Sequence, residues 1–168
     1  MTDGATPRPR AGGGDQAAAL AALAACLAGC LTACGPGRVE LPPPAPAPRA
    51  VRLCAALHDR LPATLHGRQR RSTRPRSELT AAWGSPAIAL RCGVPRPAAM
   101  RPTSELVTVN GIAWFPRPPD RPVTFTAVGR AAYVEVTVPA AYAPAGDVLI
   151  ELTPAITAAI PPKPGGQL

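Results

Sequence analysis

Leu106-Val107-Thr108-Val109-Asn110-Gly111-Ile112-Ala113-Trp114-Phe115 sets two short apolar runs around an Asn-Gly pair. Both central residues of a type I′ turn need positive φ, which Asn and Gly tolerate, so this stretch predicts a tight β-hairpin. Downstream, Val123-Thr124-Phe125-Thr126-Ala127-Val128 and Ala132-Tyr133-Val134-Glu135-Val136-Thr137-Val138 alternate in polarity, with Gly129-Arg130 between them. They predict a second antiparallel pair. Upstream, Pro86 introduces the apolar strand Ala87-Ile88-Ala89-Leu90-Arg91-Cys92, closed by Gly93 and Pro95. Residues 64–80 are polar and rich in arginine and are expected to form a loop.

The strands are flanked by helical patterns. Val51, Cys54, Leu57 and Leu61 recur at helical spacing with Arg52, Asp59 and Arg60 between them, and Pro62 ends the pattern. Asp147 is placed to cap a last helix running to about Ile160, in which Pro154 requires a kink or a late start. The order helix, strands, helix predicts an α+β fold. It would be a two-layer sandwich, an antiparallel sheet of about four to five strands covered on one face by an N-terminal and a C-terminal helix.

The chain has 168 residues, which suits one domain with attachments. Aromatics make up 4% and there are 24 prolines, so the core is modest and much backbone is irregular. Lys163 is the sole lysine and Asn110 the sole asparagine. The bias towards Ala, Pro, Gly and Arg reads as the codon usage of a GC-rich, actinobacterial type of genome. Arginine abundance therefore reflects codons before it reflects function. The formal charge is +8 and the pI about 10.3, a balance that favours anionic partners.

Residues 1–16 carry Arg8 and Arg10 against Asp3 and Asp15, and Ala17–Ala33 carries no charge. That uncharged run sits at the lower bound of about 17 residues for a membrane span. A basic start, an apolar run and small residues at its end define an export signal. Leu31-Thr32-Ala33-Cys34 has the pattern of a bacterial lipobox, and Leu27-Ala28-Gly29-Cys30 fits it as well. Cys34 is preferred, because the polar, turn-forming Gly35-Pro36-Gly37-Arg38 follows it. The open alternatives are an uncleaved signal anchor, ordinary secretion, or a buried Ala-rich helix. Residues 1–34 are thus read as a signal peptide with lipobox, or as a signal anchor. Residues 35–48, with Pro36, Pro42, Pro43, Pro44, Pro46 and Pro48, are read as an extended Pro-rich linker. The domain follows as residues 49–160, with 161–168 as a disordered tail.

Three segments are distinctive in combination: Trp83-Gly84-Ser85-Pro86-Ala87-Ile88-Ala89-Leu90-Arg91-Cys92-Gly93-Val94-Pro95, then Val109-Asn110-Gly111-Ile112-Ala113-Trp114, then Gly129-Arg130 followed by Tyr133-Val134-Glu135-Val136. With Cys54 they resemble an actinobacterial family catalogued as domain of unknown function 3515, over roughly residues 50–158. The resemblance implies a small secreted or membrane-anchored protein with an N-terminal hydrophobic segment. It supplies no activity and no catalytic residues.

Five cysteines stand at 26, 30, 34, 54 and 92, the first three inside the export signal. In an oxidising compartment the remaining pair, Cys54 and Cys92, reads as a disulfide pinning helix to sheet; two buried free thiols are the alternative. Two cysteines with no histidine pair nearby supply too few ligands for a metal, and no cofactor is called for. His58 and His66 are the only histidines. Ser72, Ser77, Ser85 and Ser104 lack a nucleophile-elbow setting, so no catalytic group is assigned. Glu135, between Val134 and Val136, is expected to face solvent.

Arg68, Arg70, Arg71, Arg74 and Arg76 crowd five guanidinium groups into one segment. Arginine forks match phosphate and carboxylate oxygens, so the segment is a candidate anion site for lipid headgroups or acidic wall polymer; a solvated loop is the alternative. Nucleic acid is not expected as a partner, since export separates the chain from it. The expected function is that of a cell-envelope protein on the outer face of the membrane, a non-enzymatic binding or scaffolding module. An enzyme acting on a wall component, and an anion or lipid sensor, are the competing readings.

Overall fold

The computed structural model describes residues 1, 2, 4, 37–121 and 123–166. Cys30, Cys34 and the uncharged run ahead of them lie outside the described residues. Among the described residues, ten strands and two α-helices follow one another as β1 (Val39–Glu40), α1 (Pro48–His58), β2 (Thr64–Leu65), β3 (Arg68–Arg71), β4 (Thr73–Arg74), β5 (Thr80–Trp83), β6 (Ile88–Val94), β7 (Val107–Val109), β8 (Ile112–Arg117), β9 (Thr124–Val128), β10 (Tyr133–Thr137) and α2 (Ala145–Ala159).

The two expected hairpins form. β7 pairs with β8 around Asn110 and Gly111, whose φ angles are 46° and 77°, and β9 pairs with β10. The sheet is larger than the four to five strands expected. It has eight, in the order β2-β3-β5-β6-β10-β9-β8-β7, with every neighbouring pair antiparallel. The extra strands come mainly from the arginine-rich segment, which is not a loop. β2 and β3 form a hairpin around His66 and Gly67, with φ of 49° and 68°, a second turn of the same hand.

Both helices contribute to a single main core. Cys54 and Leu57 of α1, with Val148, Leu149, Leu152 and Ile156 of α2, meet Trp83, Ile88, Leu90, Trp114, Val134 and Val136 from the strands. α2 approaches both edge strands, β2 and β7, so the sheet curls around it. Pro48 opens α1 at its first turn, where a missing N–H costs nothing, and the helix ends at His58 rather than near Leu61. α2 runs through Pro154, which lies on the exposed side. Asp147 sits in its first turn but does not cap it; Pro144 holds the cap position with no side-chain bond.

The opposite sheet face carries a polar row set by register: Thr80 opposite Arg91, Arg91 opposite Glu135, Glu135 opposite Thr126. Glu135 therefore does not face open solvent. Its Oε1 accepts from Arg91 Nε at 2.9 Å and Nη2 at 2.7 Å. A second, smaller cluster of Met100, Phe115 and Val128 covers part of this face.

Cys54 and Cys92 are joined by a disulfide with a Cα–Cα distance of 5.5 Å, tying α1 to β6. Two segments read as attachments belong to the folded unit, which begins at Arg38. Much of the Pro-rich stretch is a strap along the domain. β1 pairs in parallel with β4, and Pro46 packs over Gly93 so closely that a Cβ on that glycine would lie 2.6 Å from the ring. The beginning of the expected tail is also bonded. Ala131 N donates to Pro161 O and Lys163 N to Gly129 O, each at 2.9 Å, because the buried end of α2 delivers the chain to the β9–β10 turn.

Candidate functional site

The alternation of β3 separates its arginines. Arg70 lies opposite Trp83, whose ring belongs to the core face, and Arg71 lies opposite Ala82 on the other face. Arg70 spreads over the Trp83 ring at 5.9 Å from its centroid, while Trp83 Nε1 donates to Pro62 O at 2.9 Å. Arg70 Nη2 meets His58 Nε2 at 2.9 Å. A guanidinium can only donate, so Nε2 accepts and the neutral imidazole carries its proton on Nδ1. Burial pushes the His58 pKa below its ordinary 6.5, and the Arg70 charge adds to that, while Asp59 and Glu78 act the other way. Burial also lowers Arg70 from its ordinary value, with Asp59 opposing. Arg71 Nη1 donates to Gly84 O at 2.8 Å. The guanidiniums of Arg70 and Arg71 are thus half-buried and held in place before any ligand arrives.

The turn between β4 and β5 is ordered by Ser77, whose Oγ accepts from Leu79 N at 3.1 Å, and by the Thr73–Thr80 hydroxyl contact at 3.2 Å. It presents Arg76 beside Arg74 of β4. On the strand beside β4 comes Arg38, immediately ahead of β1, which is fixed by Val39 N donating to Ser72 O and Leu41 N to Arg74 O, each at 2.9 Å. Together these elements wall an open cleft of about 1200 Å³. Arg38, Arg70, Arg71, Arg74 and Arg76 line it against the two carboxylates of Asp59 and Glu78.

Four of the five arginines singled out from sequence therefore meet at one cleft. Arg68 does not; its guanidinium lies 5.3 Å from the Tyr142 ring centroid, outside the lining. Arg38, His58, Asp59 and Glu78 escaped sequence reasoning as members of the site. The parallel pairing of β1 with β4 that recruits Arg38 leaves no local signature. Ser72 and Ser77 also line the cleft, but among the described residues no hydrogen bond joins either to a histidine. Among the same residues no cluster of three metal-ligating side chains is present, and no helix is long and apolar enough to cross a membrane. A shallower hollow of about 500 Å³ lies where Pro46 meets Gly93 and Tyr133.

The fold and site define a small α+β protein with an arginine-walled cleft at one margin of a curled antiparallel sheet. The family model described as "Protein of unknown function (DUF3515)" matches residues 16–165, and the chain belongs to that family. No curated protein and no solved structure matches it.

Proposed function

We propose that this chain is an extracytoplasmic protein, tethered to the outer face of the cell membrane through its N-terminal segment, that binds anionic groups in the arginine cleft. The tether is the lipid on Cys34, with a signal anchor as the alternative. The protein acts as a binding or scaffolding module. The observation that carries this reading is the preorganisation of Arg70 and Arg71. Ordering a long cationic side chain is a large part of the cost of binding an anion, and here Trp83, His58 and the Gly84 carbonyl have already met it. The planar forks that line the cleft suit phosphate or carboxylate oxygens.

The test uses the full chain in detergent with inorganic polyphosphate as probe, read by calorimetry over a series of salt concentrations. Binding is expected to weaken steeply with salt, and R38Q/R74Q/R76Q is expected to reduce both affinity and salt slope. Heat identical for wild type and variant would remove the cleft from the reading.

A further inference from the structure

The sheet-margin cleft lies at the point where the chain enters its folded unit. Arg38 is both the first residue of that unit and a wall of the cleft, and the two bonds that fix it, from Val39 and Leu41, land on the cleft-lining β4 segment. Only Gly35, Pro36 and Gly37 separate it from Cys34. Four steps of fully extended chain reach about 14 Å at most. The prolines from Pro42 onward cannot lengthen this reach, because they come after Arg38 and run along the domain, with Pro46 seated on Gly93.

We infer that the cleft is applied to the membrane from which the protein hangs, and that its ligands are the phosphate headgroups of anionic lipids in that same membrane. This rests on the tethered, anion-binding reading above and names its ligand. A tether of this length confines the rim of the cleft to within two screening lengths of the surface, the Debye length being about 8 Å at physiological salt. Headgroup phosphates are then present at the high effective concentration of an intramolecular encounter. Arg38, Arg74 and Arg76 are exposed at the rim, Arg74 in a solvent-exposed ion pair with Glu40 at 4.0 Å, whereas Arg70 and Arg71 form the half-buried floor. A domain on a true spacer would carry the first residue of its folded unit away from its ligand site. This one carries it into the site.

The experiment places the full chain in nanodiscs of phosphatidylcholine alone or of phosphatidylcholine with phosphatidylglycerol. Backbone hydrogen exchange is followed at residues 70–80, with α2 as an internal reference. Several-fold slower exchange at 70–80 in the anionic discs only, lost in R38Q/R74Q/R76Q, is the expected result. Those three arginines are exposed, so the variant keeps the fold, and unchanged exchange in α2 verifies it. Equal exchange in both discs, while polyphosphate still protects the cleft, overturns the lipid assignment and leaves the anion-binding reading standing. No protection from either probe overturns both. Protection equal in the two discs shows a charge-independent contact and overturns the headgroup assignment.

Discussion

Arg70 and His58 share a single hydrogen bond, 2.9 Å long, whose direction fixes the state of both: the guanidinium donates, so the imidazole is neutral. Burial and the adjacent positive charge hold the His58 pKa below 6.5, and the carboxylates of Asp59 and Glu78 counter this only in part. The unfolded chain therefore takes up its proton before the folded one. Stability is full above 6.5 and falls as the pH drops through 6.5 towards the lowered folded value, below which the loss is complete. Urea midpoints measured over this range should decline for the wild type, and His58→Gln should lose that part of the decline. Parallel curves for the two proteins would contradict the assignment.

The disulfide encloses the whole arginine-bearing segment, since Cys54 lies before β2 and Cys92 after β5. Cys54→Ala and Cys92→Ala should each cost up to about 4 kcal/mol by the chain-entropy estimate for a loop of this length. The double variant should cost little more than either single one, because the same bond is lost in all three. Denaturant unfolding of the three variants checks this, and additive losses would show that the cysteines act separately. Reduction should also loosen polyphosphate binding, because it frees the ends of the strands that build the cleft.

Gly93 occupies a bulge where Tyr133 faces Val94 and Val134 faces Cys92, and its φ is 87°. Gly93→Ala should destabilise the domain by about 1–2 kcal/mol from the left-handed backbone alone. The overlap with Pro46, 2.6 Å from the new Cβ, adds to this cost. Combining it with Pro46→Gly should recover only the second part, since the backbone strain stays. Thermal unfolding of the two variants separates the terms; full recovery would mean that the contact, not the φ, dominates.

The proposed anchor predicts a mature chain beginning at Cys34 and carrying acyl mass. Intact mass and acyl labelling of the membrane fraction check it, and Cys34→Ser should abolish the label. A membrane-bound chain that retains residues 1–33 without acyl mass would instead favour the signal anchor. Either attachment leaves the same short path to Arg38.

Where the chemistry is local, the sequence by itself determined the structure. Asn110-Gly111 between apolar β-branched runs specifies a hairpin, because turn handedness and strand propensity act over a few residues. Alternation did the same for β9 and β10, and helical spacing brought Cys54 to the side that meets the sheet. His66-Gly67 makes the same kind of turn as Asn110-Gly111, but histidine is a weak marker of positive φ and the run after it is Arg68-Gln69-Arg70-Arg71. Those arginines look like a solvated loop because their burial is not aliphatic. Arg70 and Arg68 gain cover from Trp83 and Tyr142, ring faces supplied by residues distant in the chain. Only the tertiary structure decided that this polar run is a strand. It alone decided that β1 lies in parallel beside β4 and brings Arg38 to the cleft, since a parallel pairing across an intervening helix depends on how the whole sheet is assembled.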